Sequence, residues 1–260
     1  MSKWLPEETT PGLRQTIEAY IEETQTLADK FICLVADALD VNHSAFTKLL
    51  QRDIPYSILR IGAYPQPDTP QPTDTGFQGV GPHKDGSFLT YLLQGTDHCS
   101  LEVQNKSGTW IPVPPVPNTL VVNIGRSLES LTGGVCVATT HRVNLKLEQY
   151  RGVENTHLGT RLSFAFFQML ALDVTREDMV LELPPRIVGL REDHVKSDAE
   201  TFFVDLYKGP AGEALLTNII TSYPEMGQRW YPDVLSKVLK EQHEAKQLDN
   251  AKRCKEVEPN

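Results

Sequence analysis

Between Tyr56 and about Leu172, short apolar or β-branched runs are broken by Gly, Pro and Asn. The breaks recur every ~8–12 residues, a punctuation that suits an all-β sandwich or barrel and little else. The candidate strands are 56–63, 87–94, 100–104, 108–112, 119–124, 136–143 and 161–169. Pro112, Pro114, Pro115 and Pro117 form a stiff connector between two of them, and the proline-rich stretch 65–76 reads as a surface loop at the rim.

The flanks follow a different period. Leu13, Ile17, Ile21, Ala28, Ile32, Val35 and Leu39 recur at helical spacing across 12–40, with acidic residues mostly between them. Ser44 is placed to cap a short second helix through Gln51. After Leu172 the helical candidates are 198–207, 212–222 and 232–247. The pattern predicts one domain: a helical scaffold over 1–52, a β core over 53–172 and C-terminal helices over 173–260.

Composition narrows the function. Twenty-five Lys and Arg against 34 Asp and Glu leave a formal charge of −9 with no long basic block. Such a chain is a poor partner for nucleic acid or an anionic membrane. No apolar run approaches the ~20 residues of a bilayer-spanning helix, and neither end carries a secretory or retention signal. Cys33, Cys99, Cys136 and Cys254 are far apart and form no C-x-x-C pair, so neither a cysteine zinc site nor a disulfide framework is indicated. The expectation is a soluble cytoplasmic protein with reduced cysteines.

Three clusters can do chemistry. His83-Lys84-Asp85 sets an imidazole and a carboxylate two residues apart, where an extended backbone points both the same way; an exposed polar turn gives the same pattern. His141 lies in a strand pattern beside Val137, Thr139 and Val143, and needs a partner for its ring nitrogens, either a backbone carbonyl or a metal. Two imidazoles and one carboxylate on one side of an ion form a facial triad that suits non-haem Fe(II). Alternation along 161–167 puts Arg161, Ser163, Ala165 and Phe167 on one face. A buried arginine there requires an anion, either one of the chain's own acids or a ligand carboxylate gripped by its planar fork.

At these residues the chain resembles the 2-oxoglutarate- and Fe(II)-dependent oxygenases of the isopenicillin N synthase-like superfamily. The similarity runs in order through Gly81–Thr90, Gly108–Pro115, Leu120–Gly125, Leu131–Gly134 and Thr140–Val143. It implies a mainly β fold with flanking helices, built on a double-stranded β-helix (jelly-roll) core. It also implies iron ligation by His83, Asp85 and His141, and 2-oxoglutarate binding by Arg161 and Ser163, with Tyr64 reaching the same co-substrate. The implied reaction is oxidation of a small organic substrate, coupled to conversion of 2-oxoglutarate and O2 to succinate and CO2. Specialised metabolism is the expected setting. Related halogenating centres lack the carboxylate ligand, so Asp85 favours hydroxylation, desaturation or ring formation.

The chain departs from the family pattern in several places. The interval from His141 to Arg161 is about twice the usual one, which predicts a long hairpin loop near 144–159. Gly62 stands where the family has asparagine, and Arg126 where it has aspartate; Arg126 is either a contact for an anionic substrate or an ordinary surface arginine. The strand-bearing segment that usually precedes the core is expected to be missing. The rival readings are an oxidase that uses no 2-oxoglutarate, a binding module without turnover, and a zinc hydrolase.

Overall fold

The apolar stripe of the first helix covers one sheet of the core. The structure is a computed structural model, which describes residues 4–52, 56–66, 77–192 and 209–256. Helix α1 spans Leu13–Ala38 and α2 spans Ser44–Leu50. Ala28 and Ile32 of the stripe, with Ala36, are at most 1% exposed and share a cluster with Phe46 and Leu49 of α2. Phe31 meets Tyr91 edge-on at 6.0 Å between centroids, and Phe46 meets Phe88 at 5.0 Å. Ser44 is the first residue of α2 rather than its cap, and its N–H donates to Asn42 Oδ1 at 2.9 Å.

Eight strands follow, β1 (Ser57–Tyr64), β2 (Phe77–His83), β3 (Leu89–Gln94), β4 (Leu101–Gln104), β5 (Trp110–Pro112), β6 (Val121–Ile124), β7 (His141–Leu145) and β8 (Arg161–Gln168). They form two antiparallel four-stranded sheets, ordered β1-β8-β3-β6 and β2-β7-β4-β5. The pairing places Tyr64 opposite Arg161, Gly62 opposite Ser163 and His83 opposite His141. Period-2 alternation sends Tyr91 and Phe166 to the helix-covered side of the first sheet. The other face, bearing Thr90, Ser163 and Phe167, shares a cavity with Val80 and Val143 of the second sheet. This is the expected double-stranded β-helix with flanking helices. The remaining helices are α3 (Arg126–Leu131), α4 (Pro185–Val188), α5 (Ala211–Ser222), α6 (Pro224–Trp230) and α7 (Pro232–Glu256).

Several expectations need correction. Strand β2 escapes the sequence pattern because Gly79, Gly81 and Pro82 interrupt it; register shifts between Gln78 and Val80 and between Val80 and His83 absorb the irregularity. Strand β7 starts at His141, not at 136, because the preceding residues are tethered to α3: Thr132 Oγ1 accepts the Cys136 N–H at 3.1 Å. The stretch near 144–159 is not a hairpin, since β7 and β8 lie in different sheets. It crosses between them through two 3₁₀ turns and an Arg151–His157 bridge. Helices α3, α4 and α6 were not anticipated, and α7 runs past 247. The candidate helix 198–207 and loop residues 67–76 lie outside the described residues. Among the described side chains, Cys33, Cys99 and Cys136 carry free thiols.

Phe46 is fully buried between the helix pair and Phe88. Phe46→Ala is expected to cost about 3–5 kcal/mol, read from the chemical denaturation midpoint. A loss below ~1 kcal/mol would mean that the helices do not form part of the cooperative core.

Candidate active site

Two histidines on paired strands and an aspartate from the β2–β3 connection converge at one point. His83 ends β2 and His141 begins β7, and their rings lie 4.3 Å apart between centroids. Each Nδ1 faces a carbonyl two residues back, Gly81 O at 2.8 Å and Thr139 O at 3.1 Å. A carbonyl only accepts, so Nδ1 carries the proton and Nε2 is the nitrogen left to face an ion. These nitrogens stand 3.5 and 3.6 Å from Asp85 Oδ1, too far for good hydrogen bonds. The other carboxylate oxygen, Oδ2, accepts from Thr90 Oγ1 at 2.7 Å and Asn123 Nδ2 at 2.8 Å.

The donor chemistry fits a divalent ion. All three donor atoms lie within 4.8 Å of one another, and this is the group of ligating side chains that could hold a metal among the described residues. Two neutral imidazoles and a carboxylate, each oriented through its second polar atom, match the facial arrangement that suits ferrous iron. Burial pushes the Asp85 carboxyl pKa up, but His83, His141, Asn123 and Thr90 outweigh it and hold the value at about 2. Asp85 raises the His83 pKa, with burial opposing.

On the same cavity wall, β8 begins with Arg161, 2% exposed. Its Nη1 is buried with no hydrogen-bond partner, and among the described residues no carboxylate pairs with it. The guanidinium carbon sits 4.8 Å from the centre of the Tyr64 ring. Burial lowers the Arg161 pKa, and Tyr64 partly offsets this. The structural salt bridge that would have explained this arginine is therefore not formed within the described chain. Arg142, next to His141, is by contrast engaged by Glu102 at 2.6 Å and by the Trp110 ring.

The segment joining β7 to β8 buttresses this end of the cavity. Tyr150, fully buried, donates its hydroxyl toward the carbonyls of Tyr64 and Pro65, each at 3.1 Å. His98, also fully buried, bonds Gly159 O through Nε2 at 3.2 Å and Thr96 Oγ1 through Nδ1 at 2.9 Å. Thr96 Oγ1 in turn accepts the Leu162 N–H at 3.1 Å. Burial lowers the His98 pKa, which keeps the ring neutral beside Arg161.

All six anticipated residues, His83, Asp85, His141, Arg161, Ser163 and Tyr64, line this one cavity, together with Ala165 and Phe167. Arg126 does not. It lines a second cavity of about 200 Å³ with Lys84, Met169 and Asn218. Sequence reasoning missed Thr90 and Asn123 as supports of Asp85, although both stand in the motifs that carry the resemblance. It also missed His98 and Tyr150, which no local pattern marks.

Comparison with known proteins gives the family. The sequence model of the 2OG-Fe(II) oxygenase superfamily matches residues 55–169, the β core. A 2-oxoglutarate-dependent dioxygenase of Gibberella zeae is 44% identical over 256 residues, covering 98% of this chain and 67% of that protein. The 2-oxoglutarate-dependent dioxygenase frbJ of a Dothideomycetidae species is 36% identical over 242 residues, covering 90% of this chain and 62% of that one. Among solved structures, a full-length Neurospora crassa protein in complex with alpha-KG superposes with a TM-score of 0.63 at 22% identity, over 85% of this chain and 60% of that one. The Arabidopsis thaliana dioxygenase for auxin oxidation 1, bound to 2-oxoglutarate, gives 0.52 at 27% identity, over 72% and 61%.

The chain therefore belongs to the 2OG-Fe(II) oxygenase superfamily. That is a family of enzymes whose metal is ferrous iron and whose co-substrates are 2-oxoglutarate and O2. The chain spans 62–67% of the length of the two fungal relatives.

Gly62 is the residue on which the Tyr64–Arg161 corner closes. A Cβ there would meet Ser163 Oγ and Tyr64 Cε2 at 2.9 Å. Gly62→Ala is expected to cost roughly 1–3 kcal/mol through overpacking, read as a lower denaturation midpoint. An unchanged midpoint would mean that Tyr64 does not pack against this strand as described.

Proposed function

We propose that the chain acts as a Fe(II)- and 2-oxoglutarate-dependent dioxygenase on a small organic substrate, in specialised metabolism. The observation that carries this is the pairing, in one cavity, of the His83–Asp85–His141 donor set with a buried arginine that lacks an anion. A metal-ion site alone would not need Arg161. A dicarboxylate with one end at the metal and the other at Arg161 satisfies both.

In this reading His83, Asp85 and His141 hold the iron. Arg161 and Ser163 clamp the far carboxylate of 2-oxoglutarate, the fork supplying two parallel hydrogen bonds and the hydroxyl a third. The Tyr64 ring lies against the guanidinium and its hydroxyl faces the same ligand. When bound, the iron supplies the O2 activation that couples decarboxylation of 2-oxoglutarate to substrate oxidation. Leu92, Val80, Val143 and Phe167 provide apolar walls that limit water around the reacting centre. The retained carboxylate ligand supports hydroxylation, desaturation or cyclisation as the outcome.

The remaining expectations belong to the same reading: residues 1–260 form one domain, the partner is a small molecule rather than nucleic acid or membrane, and the protein works in the cytoplasm. No helix among the described residues is long and apolar enough to cross a membrane.

The test is incubation with Fe(II), O2 and 2-oxoglutarate labelled at C1. Labelled CO2 and stoichiometric succinate are expected; their absence would favour an oxidase that does not use 2-oxoglutarate, or a chain without turnover. His141→Ala is expected to abolish metal binding, and retained stoichiometric binding in a titration would remove His141 from the ligand set. Arg161→Leu should retain the metal while raising the half-saturating 2-oxoglutarate concentration roughly 30-fold or more, the equivalent of losing about 2 kcal/mol with a buried charge pair. An unchanged requirement would place the clamp elsewhere.

A further inference from the structure

Outside the cavity, one buried carboxylate has no part in the chemistry above. Glu129 of α3 is 1% exposed, and its helix neighbours Leu128 and Leu131 are buried with it. Its Oε2 receives Lys84 Nζ at 3.3 Å and the Ala138 N–H at 2.9 Å. Lys84 lies between His83 and Asp85 in the chain, and Ala138 precedes His141 by three residues. One carboxylate oxygen thus touches both segments that carry the three candidate ligands.

Further hydrogen bonds from the same helix and its ends hold these segments as well. The Arg126 N–H donates to Asp85 O at 2.8 Å, and Ser127 Oγ donates to Gly86 O at 2.8 Å. Just before α3, a Cβ on Gly125 would stand 1.9 Å from Ser87 O, so the helix and the metal-loop backbone meet there without a side chain between them. On the other side, Gly134 N donates to Glu129 O at 2.8 Å, and Thr132 Oγ1 accepts the Cys136 N–H at 3.1 Å.

We propose that Glu129 is a positioning residue for the metal centre, fixing the spacing between the His83–Asp85 segment and the His141 segment by bridging Lys84 and the Ala138 amide. The inference rests on the metal reading given above. His83 ends β2 and pairs with His141 across the β2–β7 ladder, while Asp85 lies in the connection that follows, so the spacing of the three depends on that pairing and on whatever bridges the two segments. The β2–β7 ladder is irregular at this end, with a register shift just before the His83–His141 pair. A buried ion pair whose carboxylate also accepts a backbone amide is a stiff spacer, because loss of either contact leaves a polar group unsatisfied in the interior.

The test uses Co(II) as a spectroscopic probe of the ferrous site in the full chain under anaerobic conditions. Affinity, the visible d–d spectrum and thermal stability are read together. Glu129→Gln keeps an oxygen for the Ala138 amide but removes the charge facing Lys84. It is expected to raise the Co(II) dissociation constant about 10-fold or more and to alter the d–d spectrum. Lys84→Met should shift both in the same direction, and the double variant should be little worse than Glu129→Gln, since both remove one contact. Leu49→Ala, in the core cluster and not in the cavity lining, should lower the melting temperature with the wild-type affinity and spectrum.

A Glu129→Gln chain with Co(II) affinity within twofold of wild type and an unchanged spectrum would overturn the inference. So would a loss that Leu49→Ala reproduces at equal destabilisation. If Glu129→Gln does not fold, Lys84→Met decides the matter by the same readouts, because that side chain is partly exposed. A wild-type chain that binds no Co(II) would overturn the metal reading itself, whereas tight wild-type binding with indifferent variants rejects only the role of Glu129.

Discussion

The site depends on Asp85, a buried carboxylate that must be satisfied on both of its oxygens. One oxygen takes two hydrogen bonds, from Thr90 and Asn123. The other faces the two imidazole nitrogens across 3.5 and 3.6 Å. A carboxylate at 6% exposure is costly unless its surroundings are arranged for the charged form, and a divalent ion at its second oxygen completes that arrangement. Thr90 and Asn123 come from β3 and β6 of one sheet, and the histidines from β2 and β7 of the other. The two sheets must therefore face each other in one register before the site exists.

The opposite corner of the cavity obeys the same logic with the sign reversed. Arg161 is buried on an apolar strand, and the residues around it, Tyr64, Tyr150 and His98, offer aromatic faces and carbonyl-bound polar groups rather than a counter-charge. The chain spends stability to hold a cation there, as expected where an anionic ligand is to be recognised. Tyr150 and His98 bind backbone carbonyls on either side of the corner, so the long β7–β8 segment serves as its rear wall.

Much of this was legible in the sequence because period-2 alternation is a local signal. The inward set Arg161, Ser163, Ala165 and Phe167 follows from the seven consecutive residues 161–167, and it lines the cavity as read. The histidines and Asp85 were marked by spacing and by motif order. What stayed hidden was non-local or irregular. Strand β2 carries two glycines and a proline, and its bulged pairing depends on β7, a partner about 60 residues away. Residues 136–140 look like strand in composition, yet Glu129 and Thr132 hold them against α3 before the strand begins. His98 and Tyr150 acquire meaning only when the β7–β8 segment folds back, and nothing in their neighbourhoods announces it.

The central claim is that one divalent ion and one dicarboxylate share the cavity between the two sheets. Its most direct test is anaerobic addition of Fe(II) followed by 2-oxoglutarate, with the visible spectrum followed at each step. A weak metal-to-ligand charge-transfer band should arise only when both are present, saturating at one equivalent of each. A chain that binds Fe(II) but never develops the band, at any 2-oxoglutarate concentration, would contradict the account.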